Sequence, residues 1–481
     1  MLKKIFSKYT IIFISLIFCQ RLYAQNASNL SLDQYLNQVR DKNLNIEQAN
    51  QSDQSFELLK KKAKLVSAIK LYGFSEAGFA EQNRGLQFLR YKSVQTQNNR
   101  IGFSQESEFG INSNIYYSLN NTKYIGLAPG FTTNALATKN TQAIPVLELS
   151  IPLWQNFLGK TTTAKKDASF YENESKQLSA KALSQEEMVN AEKRFWHLVF
   201  AQKNLEIQNR ALNSANKILD YLNKKEKMNL AEKSDVLQAK AIVESKKLAV
   251  KQAENFLKIS ARNFNQSRNI NSDEVKEKLT NFDLTKLQNI SLNPTRNSDR
   301  LDIKSRQAQL QASLALARIE EENNKPSLNL YTSYAVNQVE PNRMDAISAT
   351  FDRSAPNGKI GLEFSMPLNI GVSADIRHGA RLQASSHKTS YQEKLLQQEI
   401  DWKNLIQNFK DWQENLKLSM QIEATQKAKL ENERNLLSKG RTSTYQILVF
   451  EQEFSSAELN TQQIAQKLYE LIADQKLYQP Q

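Results

Sequence analysis

The stretch Leu147-Glu148-Leu149-Ser150-Ile151-Pro152-Leu153 returns 215 residues later as Leu362-Glu363-Phe364-Ser365-Met366-Pro367-Leu368. Five of the seven positions are identical, and the other two exchange one apolar residue for another. The first, third and fifth members are apolar, the period-2 mark of a strand with one apolar face. A long, glycine-poor helical stretch follows each phrase. The chain therefore reads as a duplicated unit, strand then long helix pair, written twice.

Upstream of the first phrase, Leu30 to about Lys70 reads as one helix, with Ser31 as N-cap and no Gly or Pro to interrupt it. Leu71-Tyr72-Gly73 opens an alternating, aromatic zone that lasts to Gly159. Within it Ile101, Phe103, Phe109, Ile111, Ile115, Tyr117 and Leu119 all fall on odd positions, the weak repetitive pattern of a membrane strand or an exposed hairpin. Asn120 to Gln142 reads as loop.

Downstream, no glycine occurs from Lys160 to Asn357. Leu198, Leu205, Leu212 and Leu219 step by seven, and Val236, Val243, Val250, Leu257 and Phe264 form a second series. Sustained heptads mean helices packed side by side, so a hairpin turn belongs at Met228-Asn229. From Gly159 to Asn229 is about 70 residues, roughly 100 Å of helix. Arg268 to Asn297 reads as a polar connector.

The second copy then begins. Leu301 and Ile303 echo Leu44 and Ile46, and Leu330-Tyr331 echoes Leu71-Tyr72 at an offset of 259. The offset at the seven-residue phrases is 215, so the first copy carries 44 extra residues, around positions 86–120. Asn337 to Asn357 reads as loop. After the second phrase, Leu395, Trp402, Phe409, Leu416, Leu430 and Leu437 keep the heptad step, broken only by Glu423. Gly440, the sole glycine after Gly379, sits between two apolar series and marks a second hairpin turn. The expected divisions are 1–24 signal peptide, 25–267 first repeat, 268–297 connector and 298–481 second repeat.

Lys3, Lys4 and Lys8 precede an apolar run, and Leu22-Tyr23-Ala24 offers a cleavage site, the pattern of a secretory signal peptide. Cys19 is the only cysteine, so the mature chain would have neither disulfides nor thiol chemistry. Losing Lys3, Lys4, Lys8 and Arg21 lowers the formal charge from +14 to about +10. Those charges are interleaved with Glu along helices, which argues for solvated faces and against nucleic acid. No apolar run after the signal is long enough for a spanning helix, so any membrane contact must use strands.

His197, His378 and His387 lack ligand spacing, and no nucleophile triad, phosphate loop or carboxylate pair appears. No metal, cofactor or catalytic site is expected. Two strands flank the loop in each copy, four per chain, or six if the extra segment pairs. A sheet in lipid must close, and known barrels need at least about eight strands, so chains must combine. Three chains of four strands give twelve in a cyclic ring, with long helices continuing the wall.

The duplicated helix–strand–loop–strand–helix plan, the Pro-Leu strand exit and the tip sequences resemble the TolC-like outer membrane factor family over about Leu30 to Tyr478. Gly440-Arg441-Thr442-Ser443-Thr444-Tyr445-Gln446-Ile447-Leu448 is similar to the family's glycine-led tip. Asn229 to Leu237 is its counterpart in the first copy, with Asn229 in place of the glycine. The resemblance implies a mainly helical chain with membrane β-strands, assembled as a homotrimeric α-barrel/β-barrel channel. It implies an outer-membrane location with a large periplasmic portion, and export with a periplasmic adaptor and an inner-membrane pump of RND, ABC or MFS type. It places the gate at Asn229, Asp235, Gly440, Arg441, Gln446 and Val449. Acidic residues that line such entrances are replaced here at Gln446 and Val449, and only Asp235 keeps its acid, in a first helical turn where the helix dipole alone would also favour it. Pro152, Trp154 and Pro367 mark the strand-to-helix junctions, with Trp154 suited to an interfacial aromatic belt or to junction packing. The rival reading is a soluble periplasmic coiled-coil adaptor or scaffold.

Overall fold

The computed structural model of the chain describes residues 29–81, 91–127, 138–296, 298–350 and 355–479. The expected signal peptide lies outside the described residues.

The first helix, α1 (Leu32–Lys42), begins at Ser31 with a complete capping box: the Ser31 hydroxyl accepts from the Gln34 amide and the Gln34 side chain accepts from the Ser31 amide. The single helix expected to Lys70 is not what forms. The backbone leaves the helix at Asn43 (φ −74, ψ 121), resumes as α2 (Leu44–Leu59) and ends in a 3-10 turn, Lys60–Leu65. Asn43 causes the break. Its Oδ1 accepts from the amides of Asn45 and Ile46, restarting the helix, while its Nδ2 donates to the Ser267 carbonyl. A short polar side chain that bonds nearby amides competes with the helical ladder without needing Gly or Pro.

The long strands are β1 (Lys70–Glu81), β2 (Ser93–Glu106), β3 (Asn112–Ile125), β4 (Lys139–Pro152), β5 (Ser327–Val336) and β6 (Pro356–Ser365). The remaining helices are α3 (Lys160–Lys227), α4 (Lys233–Ser267), α5 (Leu284–Asn289), α6 (Leu301–Asn323), α7 (Arg343–Ser348), α8 (Ile370–Ser438) and α9 (Thr444–Gln475). The sheet is a plain antiparallel meander in the order β1-β2-β3-β4-β5-β6. A short segment, Gln338–Glu340, also pairs with β4 and continues β5 in register: Ala335 faces Val146 and Gln338 faces Ala143. The gap contains Pro145, which has no N–H to give the ladder. Asn337 there turns its amide to the Ala355 carbonyl instead, at 3.0 Å.

Among the described residues the sheet has six long strands, the larger of the two expected numbers, because the extra segment pairs. Of the two readings of the alternating run from Ile101 to Leu119, strand or hairpin, the hairpin is the one that forms: it is β2–β3, turned at Gly110 (φ +79). Its alternation survives the turn because the register sets Phe103 opposite Ile115 and Ile101 opposite Tyr117, odd against odd. The loops shrink accordingly: β3 runs to Ile125, β4 starts at Lys139, and α7 occupies part of the stretch from Asn337 to Asn357.

The chain forms two compact units. One comprises Asp53–Ser179 and Asp302–Leu395 and holds the whole sheet. The other comprises Ala180–Leu301, Leu396–Gln481 and the described part of Met1–Ser52, and is built on helices. Its largest core cluster surrounds Tyr35, Phe195, Trp196 and Phe264, with Tyr35 stacked on Phe264 at 4.2 Å and Trp196 on Tyr469 at 3.8 Å. The heptad residues Leu198, Val243, Phe409, Leu416 and Leu430 are buried as that spacing requires. Glu423, which breaks the series, is partly desolvated; burial pushes its carboxyl up and a hydrogen bond with Thr461 opposes this. The connector is more than polar linker. Lys278–Leu279 pairs in parallel with Asn29–Leu30, and α5 buries Leu287 in a cluster with Phe409, Leu416 and Leu468.

Candidate functional site: a two-faced sheet and two hairpin tips

Strand register decides which side chains share a face. Leu71 faces Phe103, Phe103 faces Ile115, Ile115 faces Leu147 and Leu147 faces Tyr334, so one row of five large side chains crosses the sheet. They are between 39% and 66% exposed. By the same register, Ile101, Ile360, Leu362 and Phe364 lie on this face and are also exposed. The opposite face is polar. There Arg100 lies over the rings of Phe74 and Tyr116, at 5.9 and 5.6 Å, and the Tyr116 hydroxyl donates to Glu148 at 2.9 Å. A broad uncovered apolar face costs free energy in water and none in hydrocarbon. An apolar face backed by a polar one is the pattern of a barrel strand between lipid and lumen. Among the described residues no helix is long and apolar enough to cross a membrane.

The strand-to-helix junction turns sharply. Pro152 is buried and closes β4 opposite Asn329; Trp154 follows, half exposed, and Pro367 is exposed between β6 and α8. Asn156 (φ 59), Leu158 (φ 56) and Gly159 (φ 72) all take left-handed backbone. Asn156 Oδ1 accepts from the amides of Thr161 and Thr162 at 2.8 and 3.2 Å, capping the start of α3. The Thr162 hydroxyl in turn donates to Glu106 at 2.6 Å, and Lys166 pairs with Glu108. Sequence reasoning passed over this cluster. Its one visible signal was Asn156 five residues ahead of the run Thr161-Thr162-Thr163.

The two helix pairs, α3/α4 and α8/α9, end in turns of one design. Asn229 (φ 59) and Gly440 (φ 68) are the left-handed residues. In each turn the next residue's amide reaches back five positions, Leu230 to the Lys225 carbonyl at 2.8 Å and Arg441 to the Leu436 carbonyl at 2.9 Å. The left-handed residue itself bonds three back, to Glu226 and to Leu437. The restarts differ: Ser443 caps α9 through the Gln446 amide, whereas Glu232 gives α4 no side-chain cap. Asp235, Arg441 and Gln446 are exposed and Val449 is half-buried. The structure brings both tips together through one apolar cluster that includes Leu222, Val243, Leu430, Ile447 and Leu448.

Above the tips, α9 is tied to each neighbouring helix by polar bonds that the sequence did not single out. Arg210 of α3 meets Glu458 at 2.6 Å, and Ser214 of α3 donates to Glu451 at 2.5 Å. Arg434 of α8 pairs with the same Glu451, and Lys246 of α4 bonds Gln452. Burial pushes the Lys246 amine down, and Glu451 nearby opposes this. Farther along, burial would raise the Glu470 carboxyl, but hydrogen bonds from His197, Lys467 and Gln466 prevail and hold it at about 2. His197, one of the three histidines weighed as a ligand, thus has an acid partner, 2.9 Å away. Among the described residues no group of three or more His, Cys, Asp or Glu could hold a metal ion.

Neither a family model nor a curated relative matches the sequence. Solved structures do. The outer membrane protein VceC of Vibrio cholerae superposes with TM-score 0.63 at 15% identity, over 93% of this chain and 94% of its own. CusC, whose structures describe transmembrane channel formation, gives 0.64 at 14% identity over 96% of each chain. The Campylobacter jejuni outer membrane channel CmeC gives 0.62 at 14%, over 95% and 90%. Over nearly its whole length, the chain has the fold of these outer membrane channels.

Proposed function

We propose that this protein is one protomer of a homotrimeric, TolC-like outer-membrane channel. It is a passive duct in a tripartite efflux or type I secretion system, and its energy comes from a partner. The observation that carries this reading is the register-aligned apolar face of the sheet. A soluble adaptor or scaffold, the rival, would have to leave that face in water. The fold likeness to VceC, CusC and CmeC supports the same reading. The partners are outer-membrane lipid, a periplasmic adaptor and an inner-membrane pump of RND, ABC or MFS type. The mature chain begins after residue 24, carries its two repeats at 25–267 and 298–481 around the connector 268–297, and performs no catalysis.

The gate is assigned to the tips around Asn229, Asp235, Gly440, Arg441, Gln446 and Val449, with opening as a shift in helix packing. The bonds that α9 makes to Arg210, Ser214, Arg434 and Lys246 favour the closed arrangement, because they cross between helices that must slide.

Extraction and conductance test the channel reading together. The protein should resist release by high salt, leave membranes in detergent with the mass of three chains, and conduct ions in a planar bilayer. Release by salt as a monomer that passes no current would return the adaptor reading.

A further inference from the structure

We infer that the copies join edge to edge, β6 of one against β1 of the next, and that three of them close a ring of eighteen strands. This rests on the trimeric channel reading above and specifies how that wall is built.

β1 and β6 are the two ends of the sheet, each paired on one side only. Every residue of β6 is exposed, and all of β1 except the half-buried Tyr72. Such an edge presents a row of unpaired amides and carbonyls, which hydrocarbon cannot satisfy. Three properties of the edges fit them to each other. The strands have matching lengths, 12 and 10 residues. They run in opposite directions, because an even number of strands in a meander always leaves antiparallel ends. And the apolar face, odd-numbered on β1 and even-numbered on β6, continues across the joint when the two are paired face to face.

The backbone flanking the edges carries the same message. Leu65 and Ile69, just before β1, are 63% and 66% exposed; Leu368 and Ile370, just after β6, are 86% and 62% exposed. Joining the edges brings both apolar pairs to one junction. A second copy of this chain is therefore the occupant, since each edge lacks what the other supplies.

Six strands in each of three chains give eighteen, where four in each would give twelve. Barrel width grows roughly in proportion to strand number, so the sheet lumen is about one and a half times as wide as a twelve-stranded ring. The β2–β3 hairpin is the cause. It widens the sheet without altering its edges, because an inserted hairpin adds two strands and preserves the direction of both ends.

Cysteine pairing tests the joint in the full-length chain, with Cys19, the only native cysteine, replaced by serine. Gly73→Cys on β1 is combined in turn with Gly358→Cys, Ile360→Cys or Leu362→Cys on the apolar face of β6, and with Lys359→Cys, Gly361→Cys or Glu363→Cys on the polar face. Gly73, Gly358 and Gly361 have no atom closer than 3.9 Å to an added Cβ, so these sites accept the change. On oxidation with copper phenanthroline, one apolar-face combination should give covalent bands of two and three chains, and no polar-face combination should. A one-residue shift turns the side chain to the other side of the sheet, so the alternation is itself the signature. A detergent-extracted trimer that yields no such bands at any position, or that links β1 to β1, overturns the edge pairing and leaves the channel reading standing. A mass of two chains overturns the eighteen-strand ring, and a non-conducting monomer overturns both.

Discussion

The carbonyl oxygen of Glu108 stands where a side chain on Gly159 would begin: a Cβ there would come within 1.8 Å of it, on a backbone already at φ +72. The β2–β3 turn and the exit from β4 into α3 are thus interlocked, backbone against backbone. Gly159→Ala is expected to cost at least about 1–2 kcal/mol from the left-handed backbone alone, before the overlap is counted. Thermal melting of the detergent-extracted protein, followed by circular dichroism, measures it. An unchanged midpoint would show that the junction yields more easily than this packing allows.

The tips separate backbone strain from crowding. Nothing lies within 4 Å of a Cβ on Gly440, so Gly440→Ala should lose only the conformational term, about 1 kcal/mol. Asn229→Gly should be neutral or slightly stabilising, since the left-handed conformation is already in place (φ 59) and glycine adopts it at no steric cost. Amide exchange at Leu230 and Arg441 reads each turn separately; faster exchange in Asn229→Gly would contradict the account.

Face asymmetry makes charge placement decisive. Ile101→Arg puts a guanidinium on the apolar face and should cost about 2–4 kcal/mol if it lies at mid-bilayer, less nearer the interface. Ser333→Arg, on the polar face opposite Glu148, should be tolerated. Yield of heat-resistant oligomer on gels compares the two, and equal yields would argue against lipid on the apolar face.

Glu470 gives the helical unit an acid-sensitive contact. Its folded pKa, about 2, is below the usual carboxylate value, so it adds stability that is fully present above about pH 4.5 and is lost as pH falls toward 2. Glu470→Gln should flatten unfolding midpoints across that window and leave little difference below it. A wild-type curve with the same slope as the variant would remove Glu470 from the explanation.

If the polar bonds of α9 hold the tips together, breaking them should open the duct. Arg210→Ala with Arg434→Ala removes the cationic partners of Glu458 and Glu451, leaving Glu451 only the Ser214 hydroxyl, and single-channel conductance should rise several-fold. Unchanged conductance in a correctly assembled double variant would move the restraint elsewhere.

Periodicity carried most of the fold, because it records which face of an element is buried. The heptads placed both helix pairs, and Asn229 and Gly440 were visible as turns because few residues accept a left-handed backbone. The repeated seven-residue phrases located β4 and β6. Local signals failed where a side chain acted on distant backbone, as when Asn43 bonds Ser267 and ends α1. They left strand and hairpin undecided where two strands alternate in phase, across Gly110.

By itself, then, the sequence determined the order of strands and long helices and the positions of the two helix-to-helix turns. Both follow from side-chain spacing and backbone sterics along the chain. Tertiary structure alone decided that the β2–β3 hairpin joins the sheet, that odd and even residues of six strands align into one apolar and one polar face, and that α9 is bonded to three other helices. Those are matters of register and contact between residues far apart in the chain, which no local pattern encodes.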